Sequence, residues 1–200
     1  MFYFGEPLNI LFDPGLKNYL DTRFEEMKKD GLDPKDIKYC ANTHCHPDHF
    51  EGSLEFAKKQ IPIAMHEEEI SFYNKLGPQF FQMFGMAFPK LDFNIVLEEG
   101  VWTVEGTDLE IYHTPGHSPG SVCVYWKEKK TLVCGDVVFE QSVGRVDFPG
   151  GDGNKLIESI KRISKLEIEH LLPGHMNIIS GAGAVRKNFE MIENYYFSMM

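Results

Sequence analysis

The stretch NTHCHPDHFEG, residues 42–52, brings His44, His46, Asp48 and His49 together on one short piece of chain. In extended backbone, residues i and i+2 point to the same side, so His44 and His46 can chelate one metal ion while Cys45 points away. Pro47 then turns the chain. Asp48 and His49 project in another direction at the start of a helix, near enough to serve a second ion. Gly52 permits close packing just behind the loop. Four donors do not close two sites, and three further candidates follow downstream. His117 lies in the turn HTPGHSPGS after a strand, Asp136 just past the strand end of LVCGDVVF, and His175 just past that of LLPGH. Each time an apolar strand holds the backbone rigid, a glycine turn frees the chain, and the donor projects at the rim. Function at strand ends is what α/β architectures favour.

The elements that must position these donors are readable in outline. Leu8 to Phe12 is a strand stopped by the turn Asp13-Pro14-Gly15. Leu16, Leu20, Phe24 and Met27 form one apolar helical stripe that Gly31 closes. Lys38 to Thr43 is a strand whose carboxyl end delivers the histidine loop, EGSLEFAKK is helical, and IPIAM is the next strand. Ser71 to Phe93 is rich in phenylalanine and broken by Gly77, Gly85 and Pro89. Its aromatics are expected to pack on the sheet rather than form a lid over an apolar substrate group. Leu109–Thr114, Ser121–Trp126 and Thr131–Cys134 have strand character. Asp152 N-caps a helix carrying Leu156, Ile160 and Ile163 on one face. His170–Leu172 is a last strand, and Val185, Phe189, Ile192 and Tyr196 mark a closing helix. Mixed strands and helices predict an α/β layered fold, and 200 residues suit a single domain over 1–200.

Composition narrows the partners. With 42% hydrophobic and 25% charged residues the chain can build an ordinary packed core, and a net charge of −10 disfavours nucleic acid and anionic lipid. No apolar run approaches the length needed to cross a bilayer, and no basic residue precedes the apolar part of MFYFGEPLNILF. The expectation is a soluble cytoplasmic protein with no membrane partner and a small-molecule substrate. Cys40, Cys45, Cys123 and Cys134 sit in strands or between donors, which suits reduced thiols rather than a disulfide framework.

The seven donors, in this order, resemble the metallo-β-lactamase fold superfamily of metal-dependent hydrolases. Its hallmark is a His-x-His-x-Asp-His loop followed by a distal histidine, a bridging aspartate and a last histidine. The resemblance spans Asp13 to His175. It implies an αβ/βα four-layer sandwich, here with shortened N-terminal strands because few residues precede DPG. It also implies His44, His46 and His117 on one metal, Asp48, His49 and His175 on the other, and Asp136 bridging both. Imidazole and carboxylate donors without thiolate suit Zn2+, and iron or manganese also fit. Two divalent ions about 3.5–4 Å apart can share a hydroxide at neutral pH, with Asp48 as the catalytic residue that orients it. The segment GDVVFEQSVGRVDFPGGD looks most like the glyoxalase II-like branch, although Val146 stands where threonine is usual. The expected reaction is hydrolysis of a thioester, lactone or other activated ester. A glutathione thioester is disfavoured because no C-terminal helical domain follows His175. The alternatives are a mononuclear iron persulfide dioxygenase, which shares a similar segment, and a metal-binding protein without catalysis. The bridging aspartate argues against β-lactamase activity, the acidic charge against a nuclease, and His46 against a flavin-linked diiron role, where glutamate is usual.

Other polar residues have blander readings. His113 continues an apolar strand face and reads as a core or ligand-supporting histidine, His66 as a surface cap, and His170 as structural. Asp13 could support a metal ligand or simply form its turn, and the turn reading comes first. Arg145 and Asp147 read as an internal ion pair steadying their loop, and Cys45 as passive.

Overall fold

The computed structural model describes residues 1–197. It divides into two compact units, residues 1–97 with 104–107, and residues 98–103 with 108 onward. In the first unit a five-stranded sheet runs in sequence order: β1 (Phe2–Phe4), β2 (Ile10–Phe12), β3 (Tyr39–Ala41), β4 (Ile63–His66) and β5 (Ile95–Leu97). β1 and β2 are antiparallel, whereas β2 through β5 are parallel, with Phe12 opposite Ala41 and Ala41 opposite Ala64. All three residues of β2 are buried, as expected when both faces of a parallel sheet are covered. α1 (Leu20–Lys29) and α3 (Ser53–Lys58) place Leu20, Met27 and Phe56 against Leu11, Cys40 and Ile63. Between β3 and α3 lies the single turn α2 (Pro47–Phe50).

α4 (Glu67–Met83) departs from the sequence reading at Gly77, where the pattern suggests a break, and continues through that residue and the adjoining Pro78. Packing outweighs the local cost of those residues. Tyr73 and Phe81 lie on one helical face and meet Phe88 at ring separations of 4.6 and 5.6 Å, and Tyr73 also meets Phe50 and Phe93. Most aromatics of this segment do pack, as expected, but Phe84 stays exposed.

In the second unit the order of the six-stranded sheet is β13-β12-β9-β8-β7-β6. These strands are β6 (Gly100–Val104), β7 (Thr107–His113), β8 (Val122–Trp126), β9 (Thr131–Gly135), β12 (His170–Pro173) and β13 (Ile179–Ser180). β10 (Val138–Phe139) and β11 (Ser142–Val143) form a separate hairpin. The β9 and β12 strands are parallel; the other pairings of β7, β8, β9, β12 and β13 are antiparallel. One face is covered by α5 (Gly153–Ile163) and α6 (Ala182–Tyr196): Leu156, Ile160, Ile163, Val185, Phe189 and Ile192 pack on Cys123, Leu132, Cys134 and Leu171. Asp152 caps α5 by accepting the Lys155 N–H at 3.1 Å, as its sequence position predicts. No helix among the described residues is long and apolar enough to cross a membrane. Ile160 is 1% exposed, so Ile160→Ala is expected to cost about 2–5 kcal/mol in urea unfolding, against less than about 0.5 kcal/mol for Glu158→Ala on the exposed face of α5.

Candidate metal centre

The first four donors are organised by strand register. Because β2 and β3 are parallel with Phe12 opposite Ala41, Asp13 and the loop from Asn42 onward leave neighbouring carboxyl ends of the sheet. Asp13, buried and at φ +47°, accepts the Thr43 N–H and the Thr43 hydroxyl, both at 2.7 Å, and lies 3.1 Å from His49 Nδ1. The Thr43 hydroxyl has a single proton and gives it to Asp13. It therefore accepts from His44 Nδ1, 3.0 Å away. Asp13 thus fixes the proton on Nδ1 of both His44 and His49 and leaves Nε2 of each as the lone-pair donor, the arrangement that metal-ligating histidines use. The rings of His46 and His49 lie 4.5 and 4.2 Å from that of His44, and His49 Nε2 is 3.8 Å from Asp48.

Three further contacts steady this loop. Glu69, fully buried on α4, accepts the Cys45 N–H at 2.8 Å. Asn42 accepts from the Ser53 hydroxyl at 2.8 Å. The turn after Asp13 is laced to the loop by Gly15 N–H to His49 O at 2.8 Å and Gly52 N–H to Gly15 O at 2.7 Å. A side chain at Gly52 would lie 2.9 Å from that Gly15 carbonyl, which is the physical need behind the glycine.

The second unit repeats the logic. β9 and β12 are parallel neighbours, so Asp136 and His175 emerge from adjacent carboxyl ends, and His175 Nε2 lies 3.4 Å from Asp136 Oδ2. His117, in the turn between β7 and β8, brings its Nε2 to 3.5 Å from the same oxygen. Its Nδ1 donates to the Arg145 carbonyl at 2.7 Å, which again leaves Nε2 for a ligand. Gly144 makes this possible: a Cβ there would run into the Asp136 carbonyl and sit 3.1 Å from His117 Nδ1. His44, His49 and His117 are buried, anchored through Nδ1 and accompanied by carboxylates with no exposed thiol, a set that fits divalent metal ions. Each of the seven donors predicted from sequence offers an atom to a His/Asp group able to hold a metal.

The profile of the Metallo-beta-lactamase superfamily matches residues 2–175. The chain belongs to this superfamily. It is 32% identical over 177 residues to a protein named probable metallo-hydrolase MJ0888 of Methanocaldococcus jannaschii, covering 85% of this chain and 84% of that one. It is 33% identical over 183 residues to hydroxyacylglutathione hydrolase GloC of Haemophilus influenzae, covering 86% and 78%. Among solved structures, TTHA1623 in a di-iron-bound form aligns with a TM-score of 0.73 at 30% identity, covering 90% and 87%. The expected αβ/βα fold of the metallo-β-lactamase superfamily is therefore the fold of this chain, and the membership makes it a metallo-hydrolase in general terms.

The remaining sequence readings divide. His113 is structural, with its Nε2 at 2.9 Å from the Pro119 carbonyl, and His170 stands beside Ser180 on the surface. His66 caps α4 by accepting the Glu68 N–H, but it is 5% exposed and so is a buried cap, not a surface one. Arg145 and Asp147 form the expected pair, doubly bonded at 2.6 Å, but side-chain exposures of 54% and 65% make it an outer pair rather than an internal one. The guanidinium bonds hold the Asp147 carboxyl down at about 2. Cys45 is passive as expected: burial, reinforced by nearby Glu69, pushes its thiol well above the ordinary range, so it supplies no thiolate at neutral pH. Asp13 is the main correction. It is the acceptor that orients two imidazoles and not merely a turn former. Asp13→Asn keeps the size and the backbone but offers one acceptor oxygen fewer, so divalent-metal affinity should fall about 10–100-fold in chelator competition. Wild-type affinity in that variant would remove the orienting role.

Proposed function

We propose that the seven side chains serve one binuclear centre, and that the protein hydrolyses a thioester, lactone or other activated ester. The observation that carries this reading is the set of Nδ1-anchored imidazoles, His44, His49 and His117, combined with Asp48 and Asp136. The metal chemistry of TTHA1623 and the thioester named for GloC, each at 30% identity or more, point the same way. Zn2+ is the ion this donor set suits, and iron or manganese also fit.

Bound divalent ions would supply Lewis acidity, which polarises a carbonyl and makes a water acidic enough to react at neutral pH. The chain's own part is to hold, orient and move protons. In this reading His44, His46 and His117 would hold one ion, Asp48, His49 and His175 would hold the other, and Asp136 would serve both. Asp48, whose side chain is 48% exposed at the start of α2, would orient the attacking water and take its proton. The water oxygen adds to the acyl carbon, the C–S or C–O bond breaks, and the leaving sulfur or oxygen takes up a proton. One water is consumed, and an acid and a thiol or alcohol are released. No side-chain nucleophile is required, and the four cysteines are buried and protonated.

The test is a panel of small thioesters and lactones, including a glutathione thioester, with the metal-loaded protein. Turnover that is lost on chelation and lowered at least about a hundredfold by Asp48→Asn is the expected result. Oxygen consumption with a persulfide would instead establish the dioxygenase alternative. Metal binding with no turnover of any substrate would establish a non-catalytic protein.

A further inference from the structure

α4 carries more apolar surface than the core consumes. Its inner face, Tyr73, Gly77 and Phe81, is buried. A second stripe at four-residue spacing, Phe72, Leu76, Phe80 and Phe84, has Met83 beside it. This stripe starts inside and ends in water: Phe72 and Phe80 are 6% and 1% exposed, whereas Leu76, Phe84 and Met83 are 38%, 45% and 61% exposed. Phe80 is where the stripe meets the chemistry. Its ring stacks on that of His46 at 4.7 Å and 23°, and Phe84 meets Phe80 at 5.2 Å. An apolar path therefore leads from the ring of a candidate metal ligand to the surface. An aromatic ring and a methionine left this exposed at the end of such a path are the kind of surface that ligand binding covers. A flexible methionine also adapts to chains of different shape. The last turn of α4 carries no basic residue, so the exposed end of the helix itself offers nothing to pair with an anionic chain.

We infer that Phe84 and Met83, supported by Phe80, form the subsite for the acyl group of the substrate. The substrate class is then thioesters or esters of uncharged aliphatic or aryl acids, of medium chain length, in preference to acetyl or dicarboxylic ones. This inference rests on the hydrolase reading above and names which side of the scissile bond lies on α4.

The experiment compares N-acetylcysteamine thioesters of acetic, butanoic, hexanoic and octanoic acids with the metal-loaded protein. In wild type, kcat/KM should rise at least about tenfold from acetyl to hexanoyl, mainly through KM. Phe84→Ser and Met83→Ser should compress that ratio, and Phe84→Leu, which keeps apolar surface, should retain it. Tyr19→Ser, a change at an exposed tyrosine outside α4, should leave it unchanged. A flat profile in wild type, or an unaltered ratio in Phe84→Ser, overturns the subsite. If none of these thioesters is hydrolysed, the thioester form of the reaction reading fails separately, and calorimetric binding of the non-hydrolysable hexyl thioether still decides the subsite. Binding at least about tenfold weaker in Phe84→Ser supports it, and equal affinity overturns it.

Discussion

The carboxylate of Asp13 is the constraint from which the first half of the ligand set follows. It is buried, yet it accepts from a backbone N–H, a hydroxyl and an imidazole, so both of its oxygens are engaged by donors the fold must supply. A carboxylate in an apolar surrounding without such donors would be costly. With them it becomes a rigid acceptor that decides which nitrogen of His44 and His49 carries the proton. The position of Asp13 depends in turn on the parallel pairing of β2 with β3, because a one-residue slip would aim the carboxylate away from Thr43.

The second half of the set obeys the same rule with different parts. Parallel β9 and β12 release Asp136 and His175 side by side, while the orienting acceptor for His117 is a backbone carbonyl, that of Arg145. Each histidine with an assigned proton is therefore prepared before a metal arrives, which lowers the ordering cost of binding. A metal that binds such groups in turn stabilises the folded chain, since the unfolded chain offers no comparable cluster.

What could be read in the sequence, and what could not, follows from locality. The seven candidate donors could be picked out because type, spacing and strand-end position are local properties, and pairing His44 with His46 needs only the alternation of extended backbone. The Asp13 role could be raised but not ranked first, because it joins residues 30 positions apart through strand register. Glu69 was hidden within HEEE, which reads as a solvated helix start. Only its place four residues before Tyr73 and twelve before Phe81, on the same helical face, marks it as an inward-facing carboxylate. The break inferred at Gly77 failed because aromatic packing around Tyr73 and Phe88 outweighs local propensity, whereas those at Gly85 and Pro89 lie past the helix end. The Arg145–Asp147 pair was correctly expected, but its exposure depends on tertiary placement that a short motif does not encode.

The central claim is that these donors hold two divalent ions with Asp136 in common. Anomalous diffraction from crystals grown with Zn2+ tests it most directly. Two peaks about 3.5–4 Å apart, with Asp136 touching both and His44 and His49 bound through Nε2, are the predicted result. Crystals saturated with the metal that show no peak at these side chains, or ligation through Nδ1 of His44 and His49, would contradict the account.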